Sequence, residues 1–183
     1  MSRTGELIER LTERLSPLGY AEHEADAFAD VRYEAVLATA CGTGRRIVCA
    51  VAGLPADVTD VRGAAGFVER IRQSLARVFA PGLPWPKRMG AYTVLLGGRD
   101  LCRRLNDREG LLVDTGGFHV NVMLGSVIVD VETPRTRCDN TWGLIDTGQA
   151  FPRIQEAVND WVRSHSARGR YVQTTPGLHV HVA

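Results

Sequence analysis

The sequence predicts an α+β fold: a mixed, mainly antiparallel β-sheet built from two β-hairpins plus central strands, with three main helices packed on it. Three observations predict it. Two pairs of Val/Ile-rich segments are each joined by a short glycine-containing turn, three segments repeat apolar residues at helical spacing, and helices and strands interleave along the chain.

Leu7, Ile8, Leu11, Leu15 and Leu18 recur every three or four residues behind a Thr4 cap, and Pro17 with Gly19 closes this first amphipathic helix. Val31–Ala40 and Arg46–Ala52 flank Cys41-Gly42-Thr43-Gly44 and read as a hairpin; a phosphate cradle would need Gly-Lys-Ser/Thr and a following helix, whereas two arginines lead into a strand. The second helix carries Phe67, Val68, Ile71, Leu75, Val78 and Phe79 on one side and Arg70, Gln73 and Arg77 on another. APGLPWPKRMG is a rigid connection, AYTVLLGG a buried strand, RDLCRRLND a short helix and GLLVD a further strand. The stretch 118–132 is expected to be the second hairpin, turning at Gly125-Ser126. The last helix starts near Asp146 or Thr147 and presents Phe151, Ile154, Val158, Trp161 and Val162 to the core. The helix between the second and third strands permits one parallel crossover.

The 183 residues suit a single domain over 1–165, with 166–183 a tail that is partly ordered or adds a late edge strand. A hydrophobic fraction of 44% with 23% charged residues is the balance of a folded globular chain. A net charge of +1 argues against a surface devoted to nucleic acid, and no apolar run reaches the roughly 18 residues of a membrane helix. Cys41, Cys49, Cys102 and Cys138 form no C-x-x-C pair and no secretory leader precedes them, so a cytoplasmic protein with buried, inert thiols is expected.

The chemistry-bearing residues concentrate on the expected second hairpin. A turn at Gly125-Ser126 pairs Asn121 with Asp130 and His119 with Glu132, gathering these four on one face while Val120, Val122, Leu124, Val127, Val129 and Val131 share the other. A solvated polar face is one reading. The alternative is a metal site for Mg²⁺ or Mn²⁺, with Asp130, Glu132 and His119 as ligands; His119 would otherwise serve as base, and Asn121 would orient a phosphodiester substrate for hydrolysis. Trp85, Lys87, Arg88 and Tyr92, in and after the proline-rich segment, combine aromatic and basic character suited to contact with a partner. His179 and His181 form an i, i+2 pair in the tail, too few for a metal site.

Two resemblances bear on function. Asp114-Thr115-Gly116 after GLLV and Asp146-Thr147-Gly148 after WGLI each resemble the Asp-Thr-Gly signature of aspartic proteases, which implies two aspartates sharing one proton to activate water. In that family the motifs lie in separate lobes or chains; here they are 32 positions apart, and the residues themselves read as a turn at Asp114 and a helix cap at Asp146. The order helix, hairpin, helix, strand resembles the core of the PD-(D/E)xK nucleases, which implies Mg²⁺ held by an acid and an acid-x-Lys on adjacent strands. The strand in that position reads IVCAVAGL, with neither acid nor lysine. The expectation is therefore a non-catalytic module without cofactor that binds another protein or a second copy of itself, with the metal-dependent hydrolase as alternative.

Overall fold

Ser2, not Thr4, starts the first helix. Its hydroxyl accepts the Gly5 N–H at 3.0 Å and caps α1, Arg3–Leu15, in a computed structural model that describes residues 2–24, 28, 30–40, 46–80, 89–97, 121–133, 135–140 and 149–166. A short 3-10 turn over Ser16–Leu18 follows, and Gly19, at φ 82°, ends it in the left-handed conformation that glycine adopts without strain.

The strands are β1 Ala21–His23, β2 Tyr33–Ala40, β3 Arg46–Gly53, β4 Met89–Leu96, β5 Asn121–Asp130 and β6 Arg135–Asn140, and they lie side by side in chain order in one six-stranded sheet. β2 and β3 form the expected first hairpin. β1–β2, β2–β3 and β5–β6 are antiparallel, while β3–β4 and β4–β5 are both parallel. Two parallel crossovers thus replace the single one expected. The link from β4 to β5 spans about two dozen residues, ample for such a crossover. The short helix at 99–107 and the strand GLLVD fall within that link, outside the described residues.

α2 spans Val61–Phe79, with Asp60 Oδ1 accepting the Gly63 N–H at 2.7 Å. It covers one face of the sheet: Ala64, Phe67, Val68, Ile71, Leu75 and Phe79 join Val36, Val48, Ala50, Ala91, Leu95 and Ile128 in one core. Val78, expected on that buried side, is 37% exposed. The other face is covered by α1 together with α3, Ala150–His165; Leu7, Leu11 and Leu15 meet Phe151, Ile154, Val158 and Trp161 over Leu37, Val51, Tyr92, Val94, Val127 and Val129. Helices on both faces explain why β3, β4 and β5 are almost continuously apolar. α3 begins after Gln149, at φ 57°, without a side-chain cap; Asp146 and Thr147 lie outside the described residues.

The largest departure from expectation concerns the second hairpin. Residues 121–130 do not reverse at Gly125-Ser126; they form one ten-residue strand in the sheet, and the hairpin is made by β5 and β6 around Val131–Thr133. The alternation in the sequence needs Leu124 to share a face with Val127 and Val129, which strict period two forbids within one strand. A one-residue β-bulge resolves it. Against β4 the register passes from Ala91↔Met123 to Tyr92↔Gly125, so Leu124 is the extra residue, and Leu124, Val127 and Val129 indeed pack in the same core.

Two glycines make room for this bulge. A Cβ on Gly90 would stand 2.6 Å from Leu124 Cδ1, and one on Gly125 would stand 2.6 Å from Phe151 Cε2. Gly125 is therefore a packing glycine against α3. Replacing it with alanine is expected to cost about 1–3 kcal/mol through overpacking, and Phe151→Leu in the same chain should return part of that loss. Urea unfolding of the two single variants and the double variant measures the coupling.

Candidate functional site

The end of β5 and the turn into β6 hold the most unusual polar group of the described chain. Asp130 sits at the last position of β5 and is 1% exposed, opposite Arg135 across the β5–β6 ladder. Its Oδ1 accepts the backbone N–H groups of Glu132 at 2.9 Å and Thr133 at 3.0 Å, which ties the turn to the strand. Its Oδ2 is buried and meets no hydrogen-bond partner among the described residues. Both turn bonds are made by Oδ1, and a buried polar oxygen ordinarily has a partner of its own. Arg3 braces the same turn from α1, its guanidinium donating to the carbonyls of Val131 at 3.1 Å and Glu132 at 3.2 Å.

Of the four residues expected to share one polar hairpin face, Asn121 and Asp130 are not brought together. Asn121 and Asp130 occupy opposite ends of a single strand, nine residue steps or about 30 Å apart. Glu132 is exposed in the turn while Asp130 is buried, and His119 lies outside the described residues. The physical reason is the bulge: it achieves the face change that the expected reversal was needed for, and it leaves β5 buried on both faces. Among the described residues no three His, Cys, Asp or Glu side chains come together as a metal site.

The other sequence candidates divide in the same way. Trp85, Lys87 and Arg88 precede β4 and lie outside the described residues, as do Asp114, His179 and His181. Tyr92 is no surface contact. It is 1% exposed within β4 and stacks on Phe151, ring centroids 5.6 Å apart. β3, where the nuclease resemblance calls for an acid-x-Lys, places Ile47, Val48, Cys49, Ala50, Val51 and Ala52 in the interior. Cys49 behaves as the composition implied: burial pushes its thiol up to about 12, so it holds its proton at neutral pH and is a poor nucleophile. Cys41, Cys102 and Cys138 have no described side-chain environment.

Two further polar features have structural explanations. Thr93 and Ser126, neighbours across the parallel β4–β5 pair, satisfy each other through a buried hydroxyl–hydroxyl bond of 2.6 Å. A shallow cavity of about 190 Å³ between α1 and α3 is lined by Glu13, Arg14, Pro17, Leu18 and Arg153. Its arginines are already engaged, Arg14 with Asp160 at 2.8 Å and Arg153 with Glu156 at 3.0 Å.

What sequence reasoning missed is the pair of sheet edges. β1, only three residues long, and β6, reading RTRCDN, carry no strand signature of their own. Among the described residues β1 pairs only with β2 and β6 only with β5. No helix among the described residues is long and apolar enough to cross a membrane. Comparison of the chain with protein-family models, with curated proteins and with solved structures finds no match.

Proposed function

We propose that this chain is a non-catalytic interaction module that pairs, strand to strand, with an extended segment of a partner protein or with a second copy of itself. The observation that carries the reading is β6: a six-residue strand, roughly 20 Å long, paired on one side only among the described residues. Helices pack on both sheet faces, so among the described residues the edges are the backbone surface left for recognition. β1 is the lesser candidate, since three residues offer few hydrogen bonds. Trp85, Lys87 and Arg88 enter this reading as side-chain contacts for the partner, on the strength of their sequence alone. A cytoplasmic location remains part of the same reading.

Self-pairing provides the test. Sedimentation at rising concentration, combined with amide hydrogen exchange, is expected to show association in which alternate β6 amides gain protection, because every second N–H of an edge strand points away from the sheet. A chain that stays monomeric at its highest soluble concentration, with β6 exchange unchanged, contradicts self-pairing.

A second reading, metal-dependent hydrolysis of a phosphodiester with Mg²⁺ or Mn²⁺, draws on one observation, the Oδ2 of buried Asp130, which has no hydrogen-bond partner among the described residues. A thermal stabilisation by Mn²⁺ that Asp130→Asn abolishes would favour it over strand pairing.

A further inference from the structure

Of the two edge strands, β6 has a residue order that complements itself. In an antiparallel strand the N–H and C=O of one residue point to the same edge, and those of the next residue point to the other. Two copies of one strand that pair about a two-fold axis must therefore set outward-pointing residues against outward-pointing ones. The axis passes through a residue and never between two. That leaves few registers for Arg135-Thr136-Arg137-Cys138-Asp139-Asn140.

An axis at Arg135 or Arg137 sets that arginine opposite its own copy, and an axis at Thr136 sets Arg135 opposite Arg137. An axis at Asp139 opposes two acids, and one at Asn140 leaves a single residue of overlap within the strand. An axis at Cys138 brings no like charges together. Arg137 then meets Asp139 on each side of the axis, with Thr136 opposite Asn140 and Cys138 opposite Cys138. Opposite charges at directly facing positions stabilise a strand pair, and like charges destabilise it. Positions 137 and 139 share the face of Ile128 and Ser126, their neighbours in β5, and a two-fold axis normal to the sheet keeps that face common to both copies.

β1, at the other end of the sheet, does the reverse. Ala21, Glu22 and Glu24 are exposed there, and an axis at Glu22 or at His23 sets Glu22 opposite itself or opposite Glu24. Its acids work against self-pairing. Among the described residues Val78 is the one large hydrophobic side chain exposed, so no apolar face there competes for a second copy.

We propose that two copies of this chain join through β6 into one continuous sheet, in an antiparallel register centred on Cys138 and selected by the two Arg137–Asp139 pairs. The inference rests on the strand-pairing reading above and names its partner and register. The assembly closes as a dimer, because each copy's β6 edge is covered by the other's.

Sedimentation equilibrium of the full chain and three variants tests it, with far-ultraviolet circular dichroism to check that each variant is folded. The wild type is expected to form a dimer. Arg137→Asp and Asp139→Arg each set like charges at both pairs and should weaken it by at least about tenfold, whereas the doubly reversed Arg137→Asp, Asp139→Arg chain should return to within about threefold of the wild type. Diamide, which takes up two protons and two electrons from a pair of thiols as their sulfurs join, should link the copies through Cys138, read by peptide mass mapping. Facing residues of a ladder have Cα atoms about 4.5–5.5 Å apart, within disulfide reach. A dimer whose strength ignores the reversals overturns the register and leaves self-pairing standing, as does one that diamide fails to link through Cys138. A chain that stays monomeric overturns both the register and self-pairing, and growth beyond a dimer overturns the two-fold closure.

Discussion

Trp161→Ala is expected to remove about 3–5 kcal/mol of folding stability, a large share of what a domain of this size possesses. Trp161 is fully buried where α1 and α3 close over the sheet, among Leu7, Leu11, Val129 and Val158. Truncation leaves a cavity, and it also strips the Arg3 carbonyl of its indole donor. Trp161→Phe separates the two contributions, since it keeps most of the volume but not the N–H. Urea denaturation should show the alanine variant strongly destabilised and the phenylalanine variant intermediate. If alanine costs less than about 1 kcal/mol, the packing of α1 and α3 described above is wrong.

The second large effect lies on the alkaline side. Burial pushes the Cys49 thiol from its ordinary value of 9.0 up to about 12. Tyr33 also stands at about 12 against an ordinary 10.0, chiefly through burial, with a hydrogen bond from Ser74 pulling the other way. Both groups therefore keep their protons in the folded chain at pH values where the unfolded chain has released them. The stability they contribute is fully present below about pH 9 and is lost as pH rises toward 12, at about 1.4 kcal/mol per pH unit for each group. Cys49→Ala should flatten the alkaline limb from about pH 9 upward and Tyr33→Phe from about pH 10 upward. An unchanged alkaline limb in Cys49→Ala would mean that the thiol is not buried as described.

How far the fold could be read from the sequence depended on whether the deciding contact was local. The β2–β3 hairpin was legible because both strands and the turn between them are adjacent in the chain. The helices were legible because their apolar stripes are local, and Phe151, Ile154, Val158 and Trp161 are buried as their spacing required. Their boundaries were less so. Ser2 and Thr4 are both competent caps, and only the geometry of the first turn chooses between them.

β5 shows where local reading stops. Its pattern demanded that Leu124 and Val127 share a face, and a tight turn or a bulge satisfies that demand equally well. The choice is made by residues far away in sequence: Gly90 leaves space for Leu124, and Phe151 fills the space that a side chain at 125 would need. Because the pairing of Asn121 with Asp130 depended on the turn, that pairing went with it. Asp130 alone kept a distinctive environment. β6 acquires its strand character only from pairing with β5, so the edge that carries the proposed function had no signature in its own residues.

The central structural claim, that residues 121–130 are one bulged strand running parallel to β4, is tested most directly by through-space proton contacts in the NMR spectrum of the isotopically labelled chain. The account predicts backbone contacts between Val94 and Val127 and between Leu95 and Ile128, with Asn121 and Asp130 too far apart to see each other. Contacts between Val122 and Val129, or between Asn121 and Asp130, would contradict it and restore a hairpin turning at Gly125.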